Sequence, residues 1–252
     1  MAIIPRIKQA LGISVPPHET TYSAGVWGMD VSHWQGDVDY KAAKEQKIEF
    51  VIAKACDGNG FLDPFFAKNY DNATAEGLLF LAYIYIRPKY KADFQIKTFV
   101  DAVGTRQVAG YMFDIETTDG MGVQVCTDIT WAIAKFFEGA GTKDCNLIYS
   151  RAEWWKVNIK RSSNWSKLAG VNTAHWGVPV NRVATPMDWT TWDVWQAGQV
   201  KNRFGVKGDV DFCVWKEDRF PGNITPPPPD DYFVLTGQTK DGDNFSGKVE
   251  KV

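Results

Sequence analysis

Between residues 26 and 150, short apolar runs alternate with segments whose apolar positions recur at helical spacing. The apolar runs are rich in Val, Ile, Phe and Tyr, as expected of buried strands. Strands that alternate with helices pair in parallel through helical crossovers, so we expect an α/β fold whose sheet closes into a TIM-like (β/α) barrel. The pattern predicts strands at 26–31, 49–55, 78–86, 110–115 and 146–149, and helices at 40–46, 65–76, 94–103 and 123–139.

The last third of the chain is less regular than the first two thirds. Strand candidates lie near 174–178, 192–197 and 210–215, with too little helical pattern between them to form a helix at each crossover. We therefore expect an irregular barrel with fewer helices in its last third.

Shifts in composition divide the chain into four parts. Residues 1–25 form a predicted N-terminal arm with a short amphipathic segment, and residues 26–220 form the barrel. Residues 221–230 form a Pro-rich linker, which is expected to be stiff and extended. Residues 231–252 form a C-terminal appendage that is long enough for one polar hairpin and too short for a core of its own.

Charge and composition exclude several classes of protein. The chain has 252 residues, 44% of them hydrophobic, and no apolar run approaches the roughly 20 residues that span a membrane. The 28 basic residues and 30 acidic residues give a net charge of -2, so no overall basic field attracts nucleic acid. The amino terminus lacks the pattern of a secretory signal peptide, which predicts synthesis in the cytoplasm.

The sequence gives little support for a metal site or for a redox-active cysteine pair. The four cysteines form no Cys-x-x-Cys pair, which argues against a zinc ribbon or a redox motif. Buried thiols are the favoured interpretation, and a disulfide between Cys126 and Cys145 is the alternative. Acidic residues with His33 and His175 can in principle hold a divalent metal, but the histidines lack a His-x-His or His-x-x-x-His spacing.

The segment 111–116 is an apolar run that ends with two carboxylates two residues apart. In a strand, alternate side chains share a face, so Asp114 and Glu116 point the same way. Mutual repulsion and partial burial raise the pKa of one carboxyl and leave the other ionised, which is the pair that glycosidic cleavage uses. Acidic pairs at strand ends also serve as helix caps or loop starts, so this pair alone has two interpretations.

Further candidates lie at the ends of other predicted strands. The active sites of (β/α) barrels lie at the carboxyl ends of the strands, where Asp30 belongs to the first strand and Asp211 to a late one. With Asp114 and Glu116 they form a predicted acid cluster. The aromatic and polar side chains expected beside this cluster are Tyr83, Tyr85, Tyr149, Trp176, Trp195 and Gln196.

Six segments, in order along residues 26–217, resemble the motifs of glycoside hydrolase family 25, the Chalaropsis-type lysozymes. Cys56 and Asp57 stand where threonine and glutamate are usual in this family, Ile84 replaces a common histidine, and Cys213 replaces an asparagine. The matching segments are GMDVSHWQG (28–36), FVIAKACDG (50–58), LAYIY (81–85), FDIE (113–116), WQ (195–196) and VDFC (210–213).

The resemblance implies cleavage of the β-1,4 bond between N-acetylmuramic acid and N-acetylglucosamine in bacterial peptidoglycan, without a cofactor. It implies that Glu116 is the general acid and that Asp114 orients the 2-acetamido group or stabilises positive charge. Two routes stay open: attack by the acetamido oxygen with retention, or attack by a water that Asp211 or Asp30 activates, with inversion. The aromatic and polar candidates above, together with Lys54, are the expected substrate contacts.

A cell-wall hydrolase without a signal peptide needs another route of release, which favours a phage endolysin or a virion-associated lysozyme. Residues 1–25 would then dock to a virion component or to a second domain. Three alternatives compete with this interpretation. They are a non-catalytic glycan-binding module, a metal-dependent polysaccharide deacetylase, and a structural virion protein in which wall cleavage is secondary.

Overall fold

The computed structural model describes residues 25–141, 145–162 and 164–222, together with the backbone of 232–238 and 244–250. Its central feature is a closed barrel of eight strands that are hydrogen-bonded in the order of the chain. This architecture confirms the predicted TIM-like barrel of the α/β class. The strands are β1 (Gly25–Val31), β2 (Ile48–Asp57), β3 (Leu79–Tyr85), β4 (Gly110–Asp114), β5 (Leu147–Ser150), β6 (Gly170–Ala174), β7 (Val194–Lys201) and β8 (Asp209–Lys216).

Strand direction changes once around the barrel. Strands β1 to β7 run parallel to one another, whereas β8 runs antiparallel to both of its neighbours, β7 and β1. The prediction of parallel strands therefore fails for β8, because the short connection between β7 and β8 contains no helical crossover. As a result, the start of β8 lies at the same end of the barrel as the carboxyl ends of the other strands.

The first half of the chain follows the predicted alternation of strands and helices, and its helix bounds agree with the prediction to within three residues. In the last third, β6 is followed by a single-turn 3-10 helix at Val180–Arg182, as the expected loss of helices requires. The helices are α1 (Tyr40–Glu45), α2 (Phe66–Ala75), α3 (Ala92–Val103), α4 (Val123–Phe136), α5 (Ala152–Asn158) and α6 (Trp165–Leu168).

One strand lies away from its predicted place. The sequence places a strand near 174–178, whereas β6 ends at Ala174. The extended path cannot continue through Gly177, whose φ of 70° is in the left-handed region that glycine favours. His175 and Trp176 therefore lie beyond the strand, at the carboxyl end of the barrel.

Large apolar side chains fill the barrel interior toward its amino-terminal end. The rings of Phe50 and Trp215 are fully buried there and pack edge-to-face, with centroids 5.3 Å apart. Burying each ring stabilises the fold by roughly 2–3 kcal/mol. Gly28 is required beside them, because a Cβ at this position would lie 2.3 Å from the Phe50 ring.

A second apolar layer lies between the strands and the helices. Phe99 of α3 packs against Tyr111 of β4 and against Phe137, which follows α4, with ring centroids 5.8 Å and 5.2 Å apart. Most barrel strands thus have both faces buried, which explains why they appear in the sequence as nearly continuous apolar runs.

The remaining sequence predictions concern the segments outside the barrel and the cysteines. The strands β9 (Tyr232–Gln238) and β10 (Asn244–Glu250) pair antiparallel, whereas nearly all of the predicted arm and most of the predicted linker lie outside the described residues. All four cysteines are buried thiols, so the alternative of a disulfide between Cys126 and Cys145 is wrong. No helix in the described part of the chain is long and apolar enough to cross a membrane.

Candidate active site

The four predicted acidic side chains come together at the carboxyl end of the barrel. Asp114 ends β4, and Glu116 follows it by two residues. Asp30 lies near the end of β1 and is the direct cross-strand neighbour of Asp211, near the start of β8. The antiparallel direction of β8 is therefore what brings the fourth acid to the other three.

Burial is the largest influence on two of these acids. Loss of hydration raises the pKa of Asp30 and of Asp114 well above the usual range of an aspartate. The charges of Asp211 and Glu116 raise the pKa of Asp30 further, and the charges of Glu116 and Asp30 do so for Asp114. The ammonium group of Lys54 opposes both shifts. Asp30 and Asp114 therefore hold protons at pH values at which an exposed aspartate is ionised.

Glu116 differs from these aspartates in what shifts its pKa. Desolvation raises the pKa of Glu116, while the positive charges of Arg151 and Lys54 lower it. The sequence predicts that partial desolvation and repulsion from Asp114 and Asp211 together raise this pKa. Desolvation is the main cause in the structure, and the charge of Glu116 raises the pKa values of the two aspartates. Glu116 is half-buried at the wall of an open cavity, whereas Asp114 is 7% exposed and lies deeper.

Asp211 has a raised pKa and two amide donors on its carboxylate. Burial raises the pKa of Asp211 to about 6, against the lowering effect of a hydrogen bond from Gln199. Gln199 Nε2 lies 3.2 Å from Oδ1 of Asp211, and Gln196 Nε2 lies 3.3 Å from Oδ2. Because each oxygen has its own amide donor, the carboxylate is held in a fixed orientation.

Asp114 contributes a fully buried carboxylate oxygen, Oδ1, that has no hydrogen-bond partner among the described residues. A buried polar atom without a partner costs about 1–3 kcal/mol, so such atoms call for an explanation in a folded protein. An oxygen in this position can accept a hydrogen bond from an N–H or O–H group of a bound molecule.

Gln196 on β7 organises the opposite wall of the site. Its Oε1 accepts hydrogen bonds from the Tyr149 hydroxyl and from the Trp176 indole N–H, both at 3.0 Å. Its Nε2 donates to Asp211. Burial raises the pKa of Tyr149 well above its usual range, so the phenol keeps the proton that it donates. The amide thus connects two aromatic candidates to the acid cluster.

Glu116 and Asp211 line an open cavity of about 540 Å³, a volume typical of ligand-binding sites, whereas Asp30 and Asp114 are not among its lining residues. Arg151 and His175 also line it, and neither is among the predicted substrate contacts. Arg151 follows Tyr149 by two residues and so shares its direction, a signal that the alternation rule could have supplied. The lining residues are Glu116, Tyr149, Arg151, Ala174, His175, Trp176, Gln196 and Asp211.

Three other predicted contacts lie on the β2–β3 side of the acid cluster, outside the cavity lining. Lys54 places its ammonium group 4.8 Å from the centre of the Tyr85 ring and 3.9 Å from the Asp57 carboxylate. Tyr83 is 8% exposed, and burial raises the pKa of its hydroxyl well above the usual range. Lys54 therefore acts on the acids through its charge, from the side opposite Gln196.

Trp195 does not reach the cavity. It is fully buried, its indole N–H donates to the His175 carbonyl oxygen at 2.8 Å, and its ring lies 6.2 Å from that of Trp192. Gln196 points into the barrel, so the alternation of β7 directs Trp195 into the layer outside it. The Trp-Gln motif therefore contributes its glutamine to the site, and Trp195 has no surface to offer a sugar.

The positions that depart from the family motifs lie away from the cavity lining. Cys56 and Ile84 are fully buried in the layer outside the barrel. Cys213 is fully buried inside the barrel, and Asp57 pairs with Arg87 at 3.2 Å. None of these four substitutions changes a residue that lines the cavity.

The described residues form no set of metal ligands. Among them, no three His, Cys, Asp or Glu side chains are placed to hold a metal ion together. His33 Nδ1 is hydrogen-bonded to the Asp63 carboxylate at 2.7 Å, and His175 Nδ1 accepts from the Ala184 N–H at 2.8 Å. The deacetylase alternative needs a metal-ligand set, and activity that survives a chelator would remove this alternative.

A (β/α) barrel whose carboxyl end opens into a cavity with clustered carboxylic acids is an arrangement that glycoside hydrolases use. The model of glycosyl hydrolases family 25 matches residues 29–206, and the chain belongs to this family. It is a glycoside hydrolase of the lysozyme type, with bacterial peptidoglycan as its substrate.

Individual relatives agree with this assignment. Lysozyme M1 of Streptomyces globisporus is 30% identical over 84% of this chain and 75% of that protein. The N,O-diacetylmuramidase of Arthroderma benhamiae is 27% identical over 79% of this chain and 87% of that protein. Among solved structures, the bacterial lysozyme from Streptomyces coelicolor aligns with a TM-score of 0.68 and 27% identity, covering 77% of this chain and 93% of that one.

Proposed function

We propose that this protein is an N-acetylmuramidase that cleaves the β-1,4 bond between N-acetylmuramic acid and N-acetylglucosamine, with Glu116 as the general acid. The observation that carries the proposal is the pairing of a half-buried Glu116 on the cavity wall with the deeper Asp114, whose Oδ1 has no donor. Desolvation raises the pKa of Glu116 in the direction that a general acid needs. The similarity to a lysozyme and an N,O-diacetylmuramidase supports the choice of bond.

In the first step, Glu116 gives its proton to the glycosidic oxygen while the bond from that oxygen to the anomeric carbon breaks. The acetamido oxygen of the muramic acid unit forms a bond to the same carbon, which gives a cyclic oxazolinium. Water then adds to the anomeric carbon, its proton passes to Glu116, and the acetamido group is released. The two inversions at the anomeric carbon give net retention.

Asp114 is proposed to accept a hydrogen bond from the acetamido N–H through its unpartnered Oδ1. This bond would direct the acetamido oxygen toward the anomeric carbon, and an ionised Asp114 would stabilise the positive charge of the oxazolinium. Burial opposes this ionisation by raising the pKa of Asp114, and the nearby Lys54 ammonium favours it. In this proposal, the positive charge of Lys54 offsets the effect of burial and allows Asp114 to ionise.

The alternative route uses a water molecule that Asp211 or Asp30 activates, with inversion. Asp211 suits a general base near neutral pH, because its pKa is raised to about 6 and its orientation is fixed by two amide donors. Proton NMR of the first product separates the two routes, since retention gives the β anomer and inversion gives the α anomer. An α anomer would remove the role proposed for the acetamido group.

The proposed sugar contacts lie on both sides of the acids. Trp176 is 51% exposed and its N–H is anchored to Gln196, so its ring face is open for stacking on a sugar. Tyr149 shares that wall, while Tyr83, Tyr85 and Lys54 face the cluster from the β2–β3 side. Release of new reducing ends from purified peptidoglycan tests turnover. Wall binding without such release would favour the non-catalytic glycan-binding module.

A phage setting, as an endolysin or a virion-associated lysozyme that acts on the bacterial cell wall, stays a prediction of the sequence. So does the docking of residues 1–25, which lie almost wholly outside the described residues, to a virion component or a second domain. Immunodetection in purified virions and in the cleared lysate tests both. Protein confined to the lysate would contradict the virion-associated form.

A further inference from the structure

Three aromatic rings form an exposed surface at the carboxyl end of the barrel, which we call the aromatic ledge: His33, Trp34 and Phe61. Trp34 is 81% exposed and Phe61 is 41% exposed. The His33 ring lies between them, with its centroid 4.7 Å from that of Trp34 and 5.2 Å from that of Phe61. Large apolar groups as open as Trp34 usually mark a binding surface when they lie together.

The ledge is held in place by a buried carboxylate. Asp63 accepts hydrogen bonds from the backbone N–H of His33 at 2.9 Å and from its ring Nδ1 at 2.7 Å. Its other oxygen accepts from the backbone N–H of Phe65 at 3.0 Å. Asp63 is buried, so these bonds are shielded from water, and they tie the turn after β1 to the loop after β2.

A second set of bonds fixes the turn that carries Trp34. Ser32 and Gln35 form a capping box at the start of this turn. The Gln35 side-chain amide donates to the carbonyl oxygen of Asp209, the first residue of β8, at 3.1 Å. The exposed indole is therefore presented by a preorganised frame, which reduces the entropy lost when a ligand stacks on it.

The ledge is continuous with the acid cluster. The turn at 33–35 follows β1, which carries Asp30, and β8 carries Asp211 next to the Gln35 contact. The charge of Asp63, at the base of the ledge, acts on Tyr83 together with the charges of Asp30 and Asp114. The ledge therefore extends the site on the β1–β2 side, opposite the wall formed by Trp176 and Gln196.

We propose that the aromatic ledge is a further sugar-binding subsite, which holds the glycan strand beyond the four sugars centred on the cleaved bond. This inference rests on the proposed function. The substrate is a long polymer, so sugars outside the cavity must lie over the loops at this end of the barrel. Flat aromatic faces pack against the C–H faces of pyranose rings, and the ledge offers two such faces, those of Trp34 and Phe61, open to solvent.

Substrate length provides the test. We compare wild type, Trp34→Ala, Trp34→Phe and Val157→Ala on long peptide-free glycan strands and on a tetrasaccharide of two disaccharide repeats. Val157 is an exposed apolar residue on α5, 63% exposed and unconnected with the ledge, so its substitution is the matched control. The proposal predicts that Trp34→Ala raises KM about tenfold on long strands, leaves kcat unchanged, and leaves KM on the tetrasaccharide unchanged.

The other two variants control for the flat ring and for the loss of an exposed apolar side chain. Trp34→Phe keeps a flat ring and should retain most of the affinity for long strands, whereas Val157→Ala should match wild type. An equal loss on both substrates would assign Trp34 to the cleavage site, and no loss on either would remove the ledge subsite. If wild type formed dimers in solution and Trp34→Ala did not, a second copy of the chain would occupy the ledge instead of a glycan. A wild type without muramidase activity would refute the proposed function, a different result from any of these.

Discussion

The acid cavity and the aromatic ledge lie at the same end of one barrel and are built in opposite ways. The acids come from strands or their immediate ends, and Asp114 is 7% exposed, so loss of hydration sets its pKa. The ledge comes from loops, and Trp34 is 81% exposed on a frame held by Asp63. Removal of water shifts the pKa values of the acids that transfer protons. Binding of a long glycan requires aromatic faces that are already exposed and held in place in the free protein.

Replacing Glu116 by Gln should separate the two regions most sharply. We expect kcat to fall roughly 10²–10⁴-fold, because an amide cannot donate the proton to the leaving oxygen. KM on long strands should change little, because the ledge is untouched. Reducing-end kinetics measure both quantities, with the exposed Glu153→Gln on α5 as the matched control. A kcat close to that of wild type would contradict the role of Glu116.

Replacing Asp114 by Asn should have the next largest effect on turnover. An amide still offers an oxygen to the acetamido N–H but carries no charge, so we expect kcat to fall roughly 10²-fold. The same kinetics measure it, and the exposed Asp128→Asn on α4 controls for a loss of charge. Activity that survives Asp114→Asn would favour the water route through Asp211.

The same substitution should stabilise the fold at neutral pH. The folded-state pKa of Asp114 is raised above its unfolded value, so its contribution to stability is fully present at low pH and is lost as pH rises through the folded pKa. Wild type should therefore lose thermal stability between acidic and neutral pH by more than Asp114→Asn does. Melting curves across this range measure the difference, and identical pH dependence would contradict the raised pKa.

Replacing Arg151 by Gln should shift the pH profile of the cavity. Arg151 lowers the pKa of Glu116, so its loss should raise that pKa, and the general acid should keep its proton to higher pH. The alkaline limb of the pH profile of kcat/KM should move to higher pH. Lys156→Gln removes an exposed cation from the neighbouring helix and should leave the profile unchanged. A limb that moves downward would show that Arg151 acts in another way.

Replacing Trp176 by Ala should give the smallest effect and should sharpen the comparison with the ledge. Trp176 lines the cavity, so we expect KM to rise roughly tenfold or less on both the tetrasaccharide and the long strands. Trp34→Ala should change KM on the long strands alone. If Trp176→Ala also affected only long strands, the boundary drawn between cavity and ledge would be wrong.

The acid cluster could be predicted because its residues are polar where an apolar run ends. Asp114 and Glu116 are two residues apart, so their side chains lie on the same face of the strand, and this holds for either face. The barrel then brings the ends of its strands together at one end. Asp211 joins the cluster for a different physical reason, since its strand runs antiparallel and presents its start at that end.

Other features depend on information that the local pattern does not carry. In β7 both faces are buried, so the apolar pattern does not tell which of Trp195 and Gln196 points inward. The exposure of Trp34 depends on Asp63, which is distant in the sequence, and an aromatic residue in a loop looks the same whether it packs inside or lies open. Alternation from Tyr149 gives the direction of Arg151, but its effect on Glu116 depends on the distance between two strands of the folded barrel.

The most direct test of the central claim is to identify the sugar at each new reducing end. Purified peptidoglycan is digested with wild type and with Glu116→Gln, the products are reduced with borohydride, and the end groups are identified by mass spectrometry. Cleavage of the muramic acid bond through Glu116 predicts reduced muramic acid from wild type and almost none from the variant. Reduced glucosamine from wild type, or equal release by Glu116→Gln, would contradict it.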